Sequence, residues 1–197
     1  MNKILTLTIL TLLACQTITL SQGSDMEKDL LLLDDFSGDV STLGTRWEGF
    51  TDQVMGGVSE MNVRVESGGD GKMLHLSGNV SLENNGGFIQ VRLNLDSNKR
   101  AYDASGFSGI ALRVRAKDRG YYVHLRTKRT VFPWSYYAQE FSAGEEWSTV
   151  YLPFSDFAPE FMSSSQLKTA KLTSIGIVAA KREFFADLYV DSVFLYR

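Results

Sequence analysis

Beyond residue 29 no long stretch keeps apolar residues at helical spacing. Short apolar runs recur instead, each bounded by Gly, Asn, Asp or Ser. That pattern predicts antiparallel strands in a sandwich or barrel. It is clearest at Ile110-Ala111-Leu112-Arg113-Val114-Arg115-Ala116. Successive strand residues project to opposite faces, so Ile110, Leu112, Val114 and Ala116 share an apolar side and Arg113 and Arg115 the other. After a turn at 117–120, Tyr121, Val123 and Leu125 fall on one side and Tyr122, His124 and Arg126 on the other. The two runs read as a hairpin with an apolar face and a cationic-aromatic face. Further strands are expected at Leu30–Asp34, Val63–Glu66, Met73–Leu76, Phe88–Leu93, Tyr136–Phe141, Thr149–Leu152, Ile175–Ala179 and Leu188–Leu195. Gly68-Gly69-Asp70-Gly71 reads as a hairpin tip. Pro133, Pro153 and Pro159 fall at strand ends or in loops, where a missing N–H does least damage.

The first residues break this pattern. From Met1 to Ser24 the only charge is Lys3, and Ile4 to Leu13 is apolar apart from Thr6, Thr8 and Thr11. A positive start followed by such a run reads as a secretory signal peptide, and it is too short and Thr-rich for a membrane span. The absence of Arg argues against a mitochondrial transit peptide. Cys15 closes Leu12-Leu13-Ala14-Cys15, which resembles the bacterial lipobox, and lipidation at Cys15 is the expectation. The alternative is a plain signal peptide cut near Ser21, which would discard the cysteine. The organisation expected is therefore a leader at 1–21, a linker at 22–29 and one β-sandwich domain at 30–197. The protein is expected to be exported: periplasmic, or held to a membrane only through an N-terminal lipid.

Composition narrows the functions. The chain has 197 residues, 44% hydrophobic and 22% charged, which suits one soluble domain. Its net charge of −3 leaves no basic excess for a phosphate backbone, so nucleic acid is not an expected partner. One cysteine excludes intrachain disulfides, and His75 and His124 alone offer little for a metal site or a triad. No cofactor is expected. Gly71-Lys72 lacks the remaining spacing of a phosphate loop. Asp34 and Asp35 are adjacent on a strand and point apart, so they cannot jointly flank a bond.

Three constellations remain. Trp47 to Ser59 contains Asp52 and Gln53 ahead of Gly56-Gly57, and Ser81 to Phe88 contains Asn84 and Asn85 ahead of Gly86-Gly87. One reading is turn chemistry, with Asp and Asn bonding their own backbone and Gly taking the left-handed region. The other is that the two loops meet and present Asp52, Gln53, Asn84 and Asn85 as one polar cluster. Asp52 and Glu83 could in principle ligate calcium, but such residues are too few and scattered for a strong claim. The third constellation runs from Arg126 through Phe132-Pro133-Trp134-Ser135-Tyr136-Tyr137. Exposed rings beside a guanidinium suit stacking on a sugar or gripping a peptide. Tyr136 and Tyr137 face opposite ways, so one is expected to be buried, and Trp134 is the better surface candidate.

The string Thr51-Asp52-Gln53-Val54-Met55-Gly56-Gly57-Val58-Ser59, with Trp47 before it and Glu83-Asn84-Asn85-Gly86-Gly87-Phe88 after it, resembles the complex I intermediate-associated protein family. Tyr122 to Thr127, Trp147 through Leu152-Pro153-Phe154 to Phe157, Ile175-Gly176-Ile177 and Asp191-Ser192-Val193 extend the resemblance across roughly residues 31 to 196. It implies an all-β galactose-binding-like jelly-roll sandwich and a non-catalytic, chaperone-like assembly role. One departure matters. The leader would export this chain, whereas the peripheral arm of complex I is assembled on the matrix or cytoplasmic side. The resemblance therefore carries the fold further than the role.

Three functions compete. The first is a protein-binding or chaperone-like module at the cell envelope. The second is a carbohydrate-binding module using Arg126, Trp134 and Tyr136. The third is a hydrolase acting through Asp52, Glu83 or His124, which no nucleophile elbow or triad spacing supports.

Overall fold

Alternation of apolar and polar side chains becomes twelve strands in the computed structural model, which describes residues 29–197 apart from 69, 70, 118, 164 and 165. The expected leader, Cys15 and all but the last residue of the expected linker lie outside the described residues. The strands are β1 (Leu30–Asp34), β2 (Trp47–Thr51), β3 (Asn62–Gly68), β4 (Gly71–Val80), β5 (Phe88–Asn94), β6 (Gly109–Ala116), β7 (Tyr121–Thr127), β8 (Tyr136–Phe141), β9 (Ser148–Pro153), β10 (Ala158–Glu160), β11 (Leu172–Ala180) and β12 (Phe184–Tyr196). The expected strands are all present, most a residue or more longer than the sequence suggests. The only helical pieces among the described residues are four single 3₁₀ turns.

The strands form two antiparallel six-stranded sheets. Sheet A runs β3-β4-β12-β6-β9, with β1 beside β12; sheet B runs β10-β8-β7-β11-β5-β2. The fold is a jelly-roll sandwich, as expected. Side chains such as Leu76, Ile110 and Leu112 of sheet A meet Ile89, Leu125 and Ile175 of sheet B with no solvent contact. Each such burial contributes about 1.5–3 kcal/mol. One polar tie closes an edge: Trp47 Nε1 of β2 donates to Asp34 Oδ2 of β1 at 2.9 Å. Asp34 is thus buried and structural, while Asp35 turns outward to Ser37.

The expected hairpin of β6 and β7 does not exist. β6 pairs with β12 and β9 in sheet A, and β7 with β11 and β8 in sheet B. Alternation fixes which face of a strand is apolar but not its partner, and here the chain changes layers between β6 and β7. The cationic-aromatic face is consequently divided. Arg113 and Arg115 lie on the outside of sheet A, and Tyr122, His124 and Arg126 on the outside of sheet B. Two strands escaped the sequence reading. β2 is interrupted by Gly49, and β10 is a three-residue edge with Pro159 at its centre, tolerable because an edge N–H need not be paired.

Candidate functional site

Both glycine-bearing bends lie at one end of sheet B, because β2 runs into the first and β5 leaves the second. Thr51 accepts from Gln53 N and opens a 3₁₀ turn over Asp52–Met55, which Gly56 ends in the left-handed region at φ 92°. That geometry points Asp52 inward. Its Oδ1 accepts from Ser59 N at 3.0 Å. Its Oδ2 accepts from Ser59 Oγ at 2.5 Å, from Gly87 N at 2.6 Å and from Phe88 N at 3.3 Å. A Cβ on Gly57 would stand 2.3 Å from the Asp52 carboxyl carbon, and one on Gly86 2.5 Å from Oδ2. The glycine pairs therefore make room for a buried carboxylate. Burial pushes the Asp52 pKa up, but the Ser59 hydroxyl and the N–H groups of Gly87, Ser59 and Phe88 outweigh it and hold it below the usual range.

The two loops do meet, but Asp52 is their buried staple and not part of a solvent-facing cluster, because its four donors satisfy it completely. Gln53 is exposed and donates to Ser59 O at 2.9 Å. Asn84 and Asn85 are exposed at φ 55° and 58°, the turn role that Asn fills better than most residues. Beside these polar side chains the same end exposes Val54, Met55 and Leu82.

The outer face of sheet B has a different character. Register places Gln90, Val178, Tyr122 and Glu140 in one row, Arg92, Gly176, His124 and Ala138 in the next, and Asn94, Ser174 and Arg126 in a third. The His124 ring stacks on Tyr136 at 3.8 Å and 12°. Its Nε2 is buried without a partner, and burial, helped by Lys181, pulls the imidazole down to about 3, so it is neutral. Burial, with Glu160 nearby, pushes the Tyr136 phenol up to about 12. Gln90 lies across Gly176, where a Cβ would meet its Nε2 at 2.3 Å. Lys181 sits over the Tyr122 ring at 4.9 Å and pairs with Glu160 at 2.8 Å.

The far end of this face, about 17 Å along β7 from the stapled bends, is built around Arg126. Its Nη2 donates to Thr130 O at 2.9 Å and Phe132 O at 2.8 Å, and its Nη1 to Pro133 O at 3.3 Å. Arg126 therefore shapes the loop and does not offer a free guanidinium for gripping a ligand. The loop it shapes holds Phe132 and Trp134 stacked at 5.3 Å and 8°, each about half exposed (55% and 51%). Ser135 Oγ donates to Phe161 O at 3.1 Å, which ties a third exposed ring to this ledge. Tyr137 is fully buried and Tyr136 partly so, as the alternation requires. On the other side of Arg126 opens a cleft of about 390 Å³ lined by Glu48, Arg92, Asn94, Lys99 and Lys128.

The seven residues singled out from sequence thus separate into two groups at opposite ends of sheet B. Asp52, Gln53, Asn84 and Asn85 belong to the bends, and Arg126, Trp134 and Tyr136 to the ledge. Gln90, Arg92, Asn94, Lys99 and Lys128 were missed, although Gln90, Arg92 and Asn94 alternate with buried Ile89, Val91 and Leu93 and so signal an outward polar row. The outer face of sheet A is more fully paired. His75 lies between Glu66 (2.8 Å) and Asp187 (2.7 Å) and stacks on Tyr189, on the opposite side of the molecule from His124. Among the described residues no group of three His, Cys, Asp or Glu is placed to hold a metal ion.

The sequence pattern of the complex I intermediate-associated protein 30 family matches residues 35–188. Among solved structures, the family 11 carbohydrate-binding module of a cellulosomal cellulase of Clostridium thermocellum superposes with a TM-score of 0.68 at 18% identity, over 85% of this chain and 94% of that one. The family 11 module from Clostridium thermocellum in complex with a β-1,3-1,4-mixed-linked tetrasaccharide gives 0.66 at 17% identity, over 85% and 94%. A family 30 carbohydrate-binding module gives 0.54 at 11% identity, over 75% and 80%. At these identities the likeness is one of fold. No curated protein is similar enough in sequence to count as a match.

Proposed function

The chain belongs to the complex I intermediate-associated protein 30 family, and from that premise we propose that it is a non-catalytic binding module whose ligand is a saccharide chain on the outer face of sheet B. The observation that carries this reading is the stacked, half-exposed Phe132–Trp134 pair beside a floor of uncharged, two-way hydrogen-bonding side chains. Sugar hydroxyls donate and accept, and so do a neutral imidazole, a protonated phenol and a carboxamide. His124, Tyr136 and Gln90 supply all three. A similarly folded module in complex with a mixed-linked tetrasaccharide supports the same choice. The leader-like residues 1–21, with Cys15 as lipid anchor, support placing this binding at the cell envelope.

A glycan array tests it. Binding is expected, and Trp134→Ala should weaken it about three- to tenfold, the worth of one stacked ring, without lowering the melting temperature. A blank array overturns the saccharide reading. A second reading, a protein-binding or assembly role, is favoured by one observation: the exposed apolar side chains of Val54, Met55 and Leu82 among the polar residues of the stapled bends, a mixed surface that suits a protein partner. A Val54→Ser/Met55→Ser variant that loses a partner recovered by the parent from envelope extract would support it, and a parent that recovers none reproducibly would remove it.

A further inference from the structure

The chain carries a net charge of −3, yet the cleft beside Arg126 gathers Arg92, Lys99, Arg126 and Lys128 against one carboxylate, Glu48. Glu48 accounts for one of these cations, through Arg92 Nη2 at 3.0 Å. The rest meet no carboxylate among the described residues. Arg126 is spent on backbone carbonyls, and Lys128 Nζ on Lys99 O at 2.6 Å. Arg92 Nε is buried and unpartnered, with the guanidinium over Phe50 at 5.1 Å. Burial and the like charge of Arg92 hold Arg126 below its usual range. Like charges held this close in a partly buried cleft lack a counter-ion.

We propose that the cleft accepts an anionic substituent, a carboxylate or sulfate ester, carried by the saccharide on the outer face of sheet B. The inference rests on the saccharide reading and adds its chemical class. An oxyanion suits the exposed ammonium groups of Lys99 and Lys128 that line the cleft, with the Arg92 guanidinium, held by Glu48, adding positive charge beside them. Asn94 and Ser174 in the adjoining row offer hydrogen bonds to neighbouring hydroxyls. The uncancelled positive charge gathers in this cleft, since towards the other edge Lys181 is paired with Glu160 and Glu140 lies in the row of Tyr122. That layout fits a chain charged at one sugar better than a nucleic acid charged at every step.

Native-gel retardation measures this with four soluble probes: neutral β-1,3-1,4-mixed-linked glucan, a largely methyl-esterified galacturonan, a sparsely sulfated galactan and a single-stranded oligonucleotide. One acidic polysaccharide should be bound about tenfold more tightly than the neutral glucan, with the preference fading as salt screens it. Which of the two binds distinguishes carboxylate from sulfate. In Lys99→Gln/Lys128→Gln the ratio of acidic to neutral affinity should collapse towards one with the melting temperature unchanged. Equal retention of neutral and acidic chains, or a preference that survives the double substitution, overturns the anionic site while leaving the saccharide reading intact. Retention by no polysaccharide overturns both. Retention by the oligonucleotide as strong as by the acidic saccharide overturns the ligand class.

Discussion

Replacing Asp52 by Ala separates a staple from a ligand residue. The carboxylate accepts from two loops at once, and in the variant the N–H groups of Ser59 and Gly87 lose their acceptor inside the protein. Each orphaned donor costs about 1–3 kcal/mol. The Ser59 hydroxyl has a second acceptor, Ser81 O at 3.3 Å, and recovers part of its loss. The sum is about 3–5 kcal/mol, a large share of the roughly 5–15 kcal/mol that holds a domain together. For a domain of this size it lowers the melting temperature by roughly 10 °C or more. Asp52→Asn keeps one acceptor oxygen but sets an amide N–H₂ against other donors, so it should fall between the parent and Asp52→Ala. Urea unfolding gives the free energies, and glycan affinity measured well below the melting point should match the parent, since the ledge lies at the opposite end of β7. An Asp52→Ala protein within about 1 kcal/mol of the parent, yet unable to bind its ligand, would refute this assignment and return Asp52 to the binding surface.

Four other perturbations follow from the same geometry. His124 is pulled from 6.5 to about 3 in the folded state, so the unfolded chain takes up the proton first on acidification. Stability is lost at up to about 1.4 kcal/mol per pH unit from pH 6.5 down towards 3, and His124→Gln should remove that slope in urea melts between pH 7 and 5. Asp52 adds a separate loss that sets in around its ordinary 3.8 and grows as pH falls further, because its folded pKa is depressed; comparing Asp52→Asn with the parent from pH 4.5 downward isolates it. Gly86→Ala has ordinary backbone dihedrals but drives a methyl against Asp52 Oδ2, so it should cost about 1–3 kcal/mol by thermal melting. Arg126→Lys keeps the charge and loses the fork that gathers the carbonyls of Thr130, Phe132 and Pro133. It should cost about 1–2 kcal/mol by urea unfolding and weaken glycan binding by loosening the ledge; unchanged affinity would mean that Trp134 holds its place without Arg126.

The fold was legible because two-residue alternation is a local signal. It placed the core residues of β6 and β7 correctly. Partners were not legible, because pairing is decided by which surfaces can be buried together, and nothing in Ile110 to Arg126 says that β6 and β7 go to different layers. The site was legible in part. Trp134 was placed at the surface on its type and position, and it is there. Asp52 was left between two readings because a carboxylate ahead of a glycine pair looks the same in sequence whether it turns out to water or in to backbone donors. Only the closeness of Gly57 and Gly86 to its carboxyl group decides between them. Lys99 and Lys128 were invisible, since they come together only when the loop after β5 folds beside the loop after β7.

The residues that carry the family resemblance most strongly, Thr51 to Ser59 and Glu83 to Phe88, are the ones that build and surround the Asp52 staple. They fix how two loops close one end of the sandwich, a requirement of the fold whatever the ligand. The groups best suited to choosing a ligand, namely Arg92, Lys99, Lys128 and Trp134, stand at the other end and fall outside those strings. Two members of such a family can therefore share the staple and differ completely in what they bind. Exchanging the 128–135 loop and the Arg92–Lys99 segment between them should move ligand preference while leaving the melting temperature within a few degrees, whereas exchanging 51–59 alone should do the reverse.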